Sequence, residues 1–254
     1  MGVIFLVGLV VVAALGYMQS KEQPTLSIPT ATPTLQPTSS ETLEFVFSGS
    51  SLRAAWVRVR DPQKIILYPN FTEKLSAKDA REEKNCASIV NGGFYTMQNS
   101  PIGLFVTEGE KMSDTHKNRL FNGFFSVDYE GNARISYDVP QNGVRFALQS
   151  GPLLLQNGVI EKLSIRNDEL ARRVVVAQEE DGRVFFIVLF VAGSPNLGPY
   201  LAELPEVLAV VGDKIEVRFT DALNLDGGSA SAFLSDGWGI AEFAPIGSYF
   251  CVRE

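Results

Sequence analysis

Val174-Val175-Val176-Ala177-Gln178, a turn at Asp181-Gly182, and then Val184-Phe185-Phe186-Ile187-Val188-Leu189-Phe190-Val191 decide how the fold is read. β-Branched and aromatic residues dominate both runs, and an Asp-Gly pair between such runs signals a hairpin. The second run carries no polar residue, so it predicts a central strand buried on both faces. Upstream, residues 43–47, 54–60 and 64–68 read as opening strands, with a turn at Asp61-Pro62. Residues 76–84 are charged and rich in Ala, Lys and Glu, and predict a short helix capped by Ser76 with Asp79 three residues on. Hairpins are expected at Glu108-Gly109, at Glu130-Gly131-Asn132 and at Asn157-Gly158. Downstream, 199–211 has helical spacing, although Pro205 either weakens that helix or starts a new segment. Residues 214–226, 229–234 and 247–252 read as closing strands. The expected class is α+β: a large twisted, mixed, mainly antiparallel sheet with a few helices, plus an N-terminal hydrophobic helix.

The first 41 residues are a different material. Val3 to Leu15 is unbroken apolar sequence, extended by Gly16, Tyr17 and Met18. Residues 1–20 therefore read either as a short transmembrane anchor or as a secretory signal with a small-residue cleavage site near Ala14-Leu15-Gly16. Residues 21–41 carry Pro24, Pro29, Pro33 and Pro37 among Thr and Ser, a composition that stays extended and buries little. That leaves 42–254 for one globular domain and an extracytoplasmic location, anchored or secreted. A formal net charge of -7, with no basic run longer than Arg172-Arg173, argues against a nucleic-acid partner. The two cysteines, Cys86 and Cys251, sit outside any C-x-x-C pair, so they are either one disulfide or two buried thiols. A single histidine, His116, in a polar stretch excludes a His-rich metal site and argues against a Ser-His-Asp triad.

Chemistry is best sought at two glycine doublets, Asn91-Gly92-Gly93-Phe94-Tyr95 and Asn224-Leu225-Asp226-Gly227-Gly228-Ser229. Each closes an apolar, strand-like run. Paired glycines there allow φ > 0 and close approach to main-chain N–H groups, while Asn and Asp supply an amide and a carboxylate. An anion or sugar site where two strands end is the expectation. Asp226 is the candidate reacting carboxylate, and Asn91 and Asn224 are candidates for holding sugar hydroxyls or a metal-bound water. Gly92, Gly93, Gly227 and Gly228 would offer amides or clearance, and Ser229 a donor. Phe94 and Tyr95 either stack on a sugar or pack in the core. Arg173 is the candidate phosphate ligand because a guanidinium forks onto oxyanions; its neighbour Arg172 leaves open which one points inward.

These landmarks, with Gly151-Pro152-Leu153-Leu154, Asn157-Gly158 and Arg173 in order between the two doublets, resemble the phosphodiester glycosidase domain over about residues 45–252. The resemblance implies hydrolysis of a sugar 1-phosphodiester at the sugar–oxygen bond, with Asp226, Arg173 and Asn91 as the catalytic set. It implies a glycosyl phosphodiester or cell-envelope glycan as partner, and the first segment adds the membrane. Val174, where relatives commonly carry a hydroxyl residue, and Ala230, beyond the glycine pair, depart from the pattern. A non-catalytic envelope polysaccharide-binding module of the same fold is the alternative. The carboxamide–carboxylate cluster is oxygen-rich enough for a hard cation such as calcium or magnesium. Glu108, Asp168 and Glu169 offer no warrant for a second catalytic carboxylate.

Overall fold

The computed structural model describes residues 41–141 and 143–254. The segment expected to be a signal or anchor at 1–20, and the linker at 21–41 apart from Glu41, lie outside the described residues, as does the hydrophobic helix expected there. Three sheets carry the domain. The first runs β1 (Glu41–Phe47), β2 (Ser50–Val59), β13 (Val184–Val191), β12 (Arg173–Glu179), β14 (Phe219–Asn224), β10 (Leu153–Gln156), β11 (Val159–Ile160). The second runs β16 (Trp238–Ile240), β15 (Phe233–Ser235), β4 (Ser88–Asn91), β17 (Ser248–Val252), β3 (Ile65–Pro69). The third runs β6 (Glu110–Ser113), β5 (Phe105–Thr107), β9 (Val144–Ser150), β7 (Gly123–Asp128), β8 (Ala133–Ser136).

Two parts of the expected class are corrected. The strands form three sheets rather than one large one, and the pairings among the named strands are all antiparallel, so the sheet is not mixed. The apolar run of β13 is nonetheless buried on both faces, for a different reason than parallel neighbours. Val184, Phe186, Val188 and Phe190 face a core shared by all three sheets, where they meet Phe105, Phe125, Phe146 and Phe250. Phe185, Ile187 and Leu189 point the other way, onto a layer made by helix α2 (Leu204–Lys214). Alternation of side chains along a strand sorts one continuous apolar run into two cores.

The helices follow their local signals. Helix α1 (Ala77–Lys84) starts where Ser76 accepts the Asp79 N–H at 3.1 Å and donates to the Asp79 carboxylate at 2.7 Å. It stops at Asn85, whose φ of 51° closes a left-handed cap on the carbonyls of Arg81 and Glu82. That stop delivers Cys86 to β17, and Cys86 and Cys251 form a disulfide with Cα atoms 5.3 Å apart. Pro205 lies in the first turn of α2, where its missing N–H costs nothing. The strand expected from 214 begins only at Phe219, because α2 runs through Lys214. Strand β9, central to the third sheet, has no counterpart among the expected strands; its buried Gln149 and Ser150 interrupt the apolar pattern.

Candidate active site

Strands β4 and β14 end side by side, and their two glycine loops are stitched together by Asn91. Its amide Nδ2 donates to the carbonyl of Asp226 at 2.7 Å and to that of Gly92 at 3.2 Å. Its Oδ1 accepts from the N–H of Ala232 at 2.9 Å, and the N–H of Asp226 donates to Gly92 O at 3.1 Å. Asn91 is 1% exposed, so its amide is committed to the protein and is not available to a sugar. Asn224 is also buried: Nδ2 donates to Gly151 O at 2.9 Å, while Oδ1 finds no partner.

The Asp226 carboxyl lies at this junction, next to the Gly227 amide. Burial pushes its pKa from 3.8 up to about 7, opposed only by the adjacent Gly227 amide. The Tyr95 hydroxyl is raised by burial and by the charge of Asp226, which places the two in electrostatic reach; that hydroxyl donates to Pro245 O. Phe94, expected to stack on a sugar or pack in the core, packs its ring on Phe121 with centroids 4.7 Å apart.

The glycines supply clearance more than donors. The Gly92 N–H is already bonded to Ser248 O at 2.7 Å and the Gly228 N–H to Arg172 O at 2.8 Å. A Cβ on Gly92 would lie 2.3 Å from Ser248 Oγ, one on Gly227 2.7 Å from Arg172 O, and one on Gly93 3.1 Å from Leu148 Cδ1. Only Gly228, at φ +62°, needs glycine for its backbone angle. Ser229 is exposed, and its carbonyl accepts from the N–H groups of Phe243 and Ala244.

The two arginines part company. Arg173 leaves β12 toward α2: Nε donates to Pro199 O at 3.1 Å, and Nη2 meets the Asp168 carboxylate at 3.3 Å and Glu169 O at 2.5 Å. Asp168 in turn accepts the N–H groups of Leu201 and Ala202. The structure therefore does not bring the Arg173 guanidinium to Asp226; it ties a turn to a loop. Arg172, one residue earlier and so on the opposite face, is fully buried beneath the second glycine loop. It donates to Ser231 Oγ (2.5 Å), Ser231 O (2.7 Å), Ala241 O (3.2 Å) and Gly228 O (3.4 Å), and lies under the Phe243 ring at 5.5 Å. No cation is among the groups that shift Asp226. Arg172 is the residue sequence reasoning left undecided, and strand parity from Val174 inward was the signal that would have placed it.

His116 is exposed, and its backbone N–H and carbonyl are held by the Gln149 amide. Among the described residues no three His, Cys, Asp or Glu side chains gather. Two surface cavities of about 560 and 670 Å³ flank α1 near Arg81 and Cys86; Asp226 lines neither.

Residues 84–252 match the family model of phosphodiester glycosidase. The chain belongs to that family. Its fold is similar to that of the zebrafish N-acetylglucosamine-1-phosphodiester alpha-N-acetylglucosaminidase catalytic domain, auto-inhibited by its pro-peptide: TM-score 0.69 at 16% identity, over 87% of this chain and 85% of that one. A hypothetical protein from Synechocystis is similar at TM-score 0.56 and 14% identity, over 84% of this chain and 61% of that one. Among curated proteins, the uncharacterized protein YigE of Escherichia coli K12 is 30% identical over 91 residues, 32% of this chain and 36% of that protein. The match thus spans about a third of that relative's length. The phosphodiester glycosidase family is a hydrolase family, and this domain carries its sheets and few helices.

Proposed function

We propose that this phosphodiester glycosidase domain hydrolyses a glycosyl 1-phosphodiester at the sugar–oxygen bond, releasing free sugar and a phosphomonoester. The observation that carries the reading is Asp226: a carboxyl whose burial holds its pKa at about 7, at the junction of the two glycine loops. A general base is most effective when it titrates near working pH. The ionised Asp226 takes a proton from water as that water bonds to the anomeric carbon. The bond from that carbon to the phosphate oxygen breaks, and its electron pair leaves with the phosphomonoester. Phosphate departs readily, so stabilising its charge matters more than a second carboxyl acting as acid. Asn91 positions the loop that carries Asp226 and does not itself touch substrate.

The reading also places the domain outside the cytoplasm, supported by the buried Cys86–Cys251 disulfide. A carboxyl poised near neutrality beside the glycine loops supports catalysis over a polysaccharide-binding module of the same fold. The test is release of free sugar from a UDP-sugar or a sugar 1-phosphate diester, by the parent and by Asp226→Asn. The parent is expected to release sugar, and the variant to lose about a thousandfold in kcat, the scale of removing a general base. A variant with full activity removes Asp226 from the reaction.

A further inference from the structure

A phosphodiester brings a full negative charge, and the protein itself engages most of the donors of the Arg172-Arg173 pair. The first is buried against the carbonyls of Gly228, Ser231 and Ala241, with its Nη1 sealed from solvent and unbonded; the second is held by Asp168 and Glu169. Exposed cations lie on the connection between β6 and β7, whose far end packs on the first glycine loop. Residues 115–127 contain His116, Lys117 and Arg119 and no acid, in a chain whose net charge is -7. Lys111 and Asp114, just before it, neutralise each other. Lys117 and Arg119 are exposed and form no ion pair among the described residues.

This connection is fastened rather than loose. Gln149, 3% exposed, accepts at Oε1 from the N–H groups of Leu104 and His116 and donates from Nε2 to the carbonyls of His116 and Phe121, at 2.6–3.0 Å. Asn118 Oδ1 accepts the Leu120 N–H at 2.7 Å, and Asn122 Oδ1 accepts the Leu153 N–H at 2.8 Å. Its far end touches both halves of the site. Phe121 packs on Phe94 of the first glycine loop. Leu120 O abuts Gly151, at 2.0 Å from where a Cβ would stand, and the Gly151 N–H bonds to Asn224 O. Cations on a segment already immobilised at both ends lose less freedom when they bind an anion.

From this juxtaposition we infer that the strap from Thr115 to Asn122 is the phosphate-binding wall of the site, with Lys117 and Arg119 as ligands of the phosphodiester oxygens. The inference rests on the reading that the substrate is a glycosyl phosphodiester. Kinetics of the full chain with the UDP-sugar it turns over, and with inorganic phosphate as competitor, test it. In Lys117→Met/Arg119→Met, KM and the phosphate inhibition constant should both rise by about tenfold or more, one to two charge-assisted bonds' worth. The salt dependence of KM should flatten. Lys78→Met/Arg134→Met removes the same charge from α1 and β8 and should change neither constant. Unchanged constants in the strap variant, a loss confined to kcat, or an equal rise in the control pair each overturn the strap's role and leave the hydrolase reading standing. Thermal midpoints matching the parent confirm folding, and the single variants repeat the measurement if the double one falls short. If the parent cleaves no glycosyl phosphodiester, the activity reading fails on its own, and titration with inorganic phosphate decides the strap. Saturable shifts of the 116–121 amides that vanish in the double variant uphold it; their absence in the parent overturns it.

Discussion

Both glycine loops begin at a strand end with a polar residue, and they have opposite fates. In the first, every polar atom of the Asn91 side chain is bonded to protein, and the loop is a fixture. In the second, the backbone of Asp226 is equally well held, but its carboxyl is left with burial and one amide. Two similar pieces of sequence thus divide into scaffold and reagent. The difference lies in which atoms the scaffold leaves unsatisfied. A saturated buried amide holds loops in register, whereas a desolvated carboxyl stores free energy that a substrate can use.

The sharpest test of that contrast is pH. In the unfolded chain Asp226 titrates at its ordinary 3.8; in the folded protein it titrates at about 7. Below pH 3.8 both states hold the proton, and the carboxyl contributes no penalty. Between there and pH 7 the unfolded chain ionises first, so stability falls as pH rises. At 1.36 kcal/mol per pH unit the full loss is about 4 kcal/mol, complete above pH 7. Urea unfolding at pH 4.5 and pH 8 should show this slope in the parent and a flatter one in Asp226→Asn, which becomes the more stable protein at pH 8. Activity should run the other way, rising through about pH 7 as the base ionises. A parent with no excess slope over the variant would place Asp226 on the scaffold side with Asn91.

Next in size is the guanidinium beneath the second loop. Arg172→Met strips Ser231, Gly228 and Ala241 of their buried donor and should cost about 3 kcal/mol by denaturant unfolding. Arg173→Met, on the face toward α2, should cost about 1 kcal/mol, since that guanidinium is partly accessible. Asn91→Ala then leaves the Ala232 N–H and the Asp226 carbonyl unpaired, for about 2 kcal/mol. If Asn91→Ala keeps full stability while losing sugar release, its amide belongs to the chemistry and the division fails.

Much of this was legible in the residues. Period-two alternation, Asp-Gly and Asn-Gly turns and the Ser76 cap located most strands and helix α1, since each is a local signal. The position of Asp226 came from its place beside the glycines. What could not be read was long-range. Which arginine lies under the loop depends on the strand face that Val174 shares with the core, and that face is fixed only when three sheets close around it. Strand β9 was hidden because Gln149 and Ser150 look like loop residues until their partners, the strap and Asn224, are in place. The hydrogen bonds of Asn91 are long-range too: a carboxamide reads as a sugar ligand until Ala232, 141 positions away, is found to donate to it.

The smallest effect separates two glycines of one loop. Gly228 sits at φ +62° with open space where a Cβ would go, so Gly228→Ala meets only backbone strain, about 1 kcal/mol. Because nothing is displaced, sugar release should survive. Gly227 has φ -116°, which any residue adopts, but its Cβ would fall 2.7 Å from the Arg172 carbonyl oxygen. That oxygen is backbone and bonded to the Gly228 N–H, so the loop itself must shift. A shift of a few tenths of an ångström one residue from Asp226 disturbs the base more than it disturbs the fold. Gly227→Ala should therefore lose about tenfold or more in kcat, where Gly228→Ala loses mainly stability. Kinetics and thermal midpoints measured on both variants read the two effects apart; equal behaviour would mean that the loop geometry around Asp226 is not what sets its reactivity.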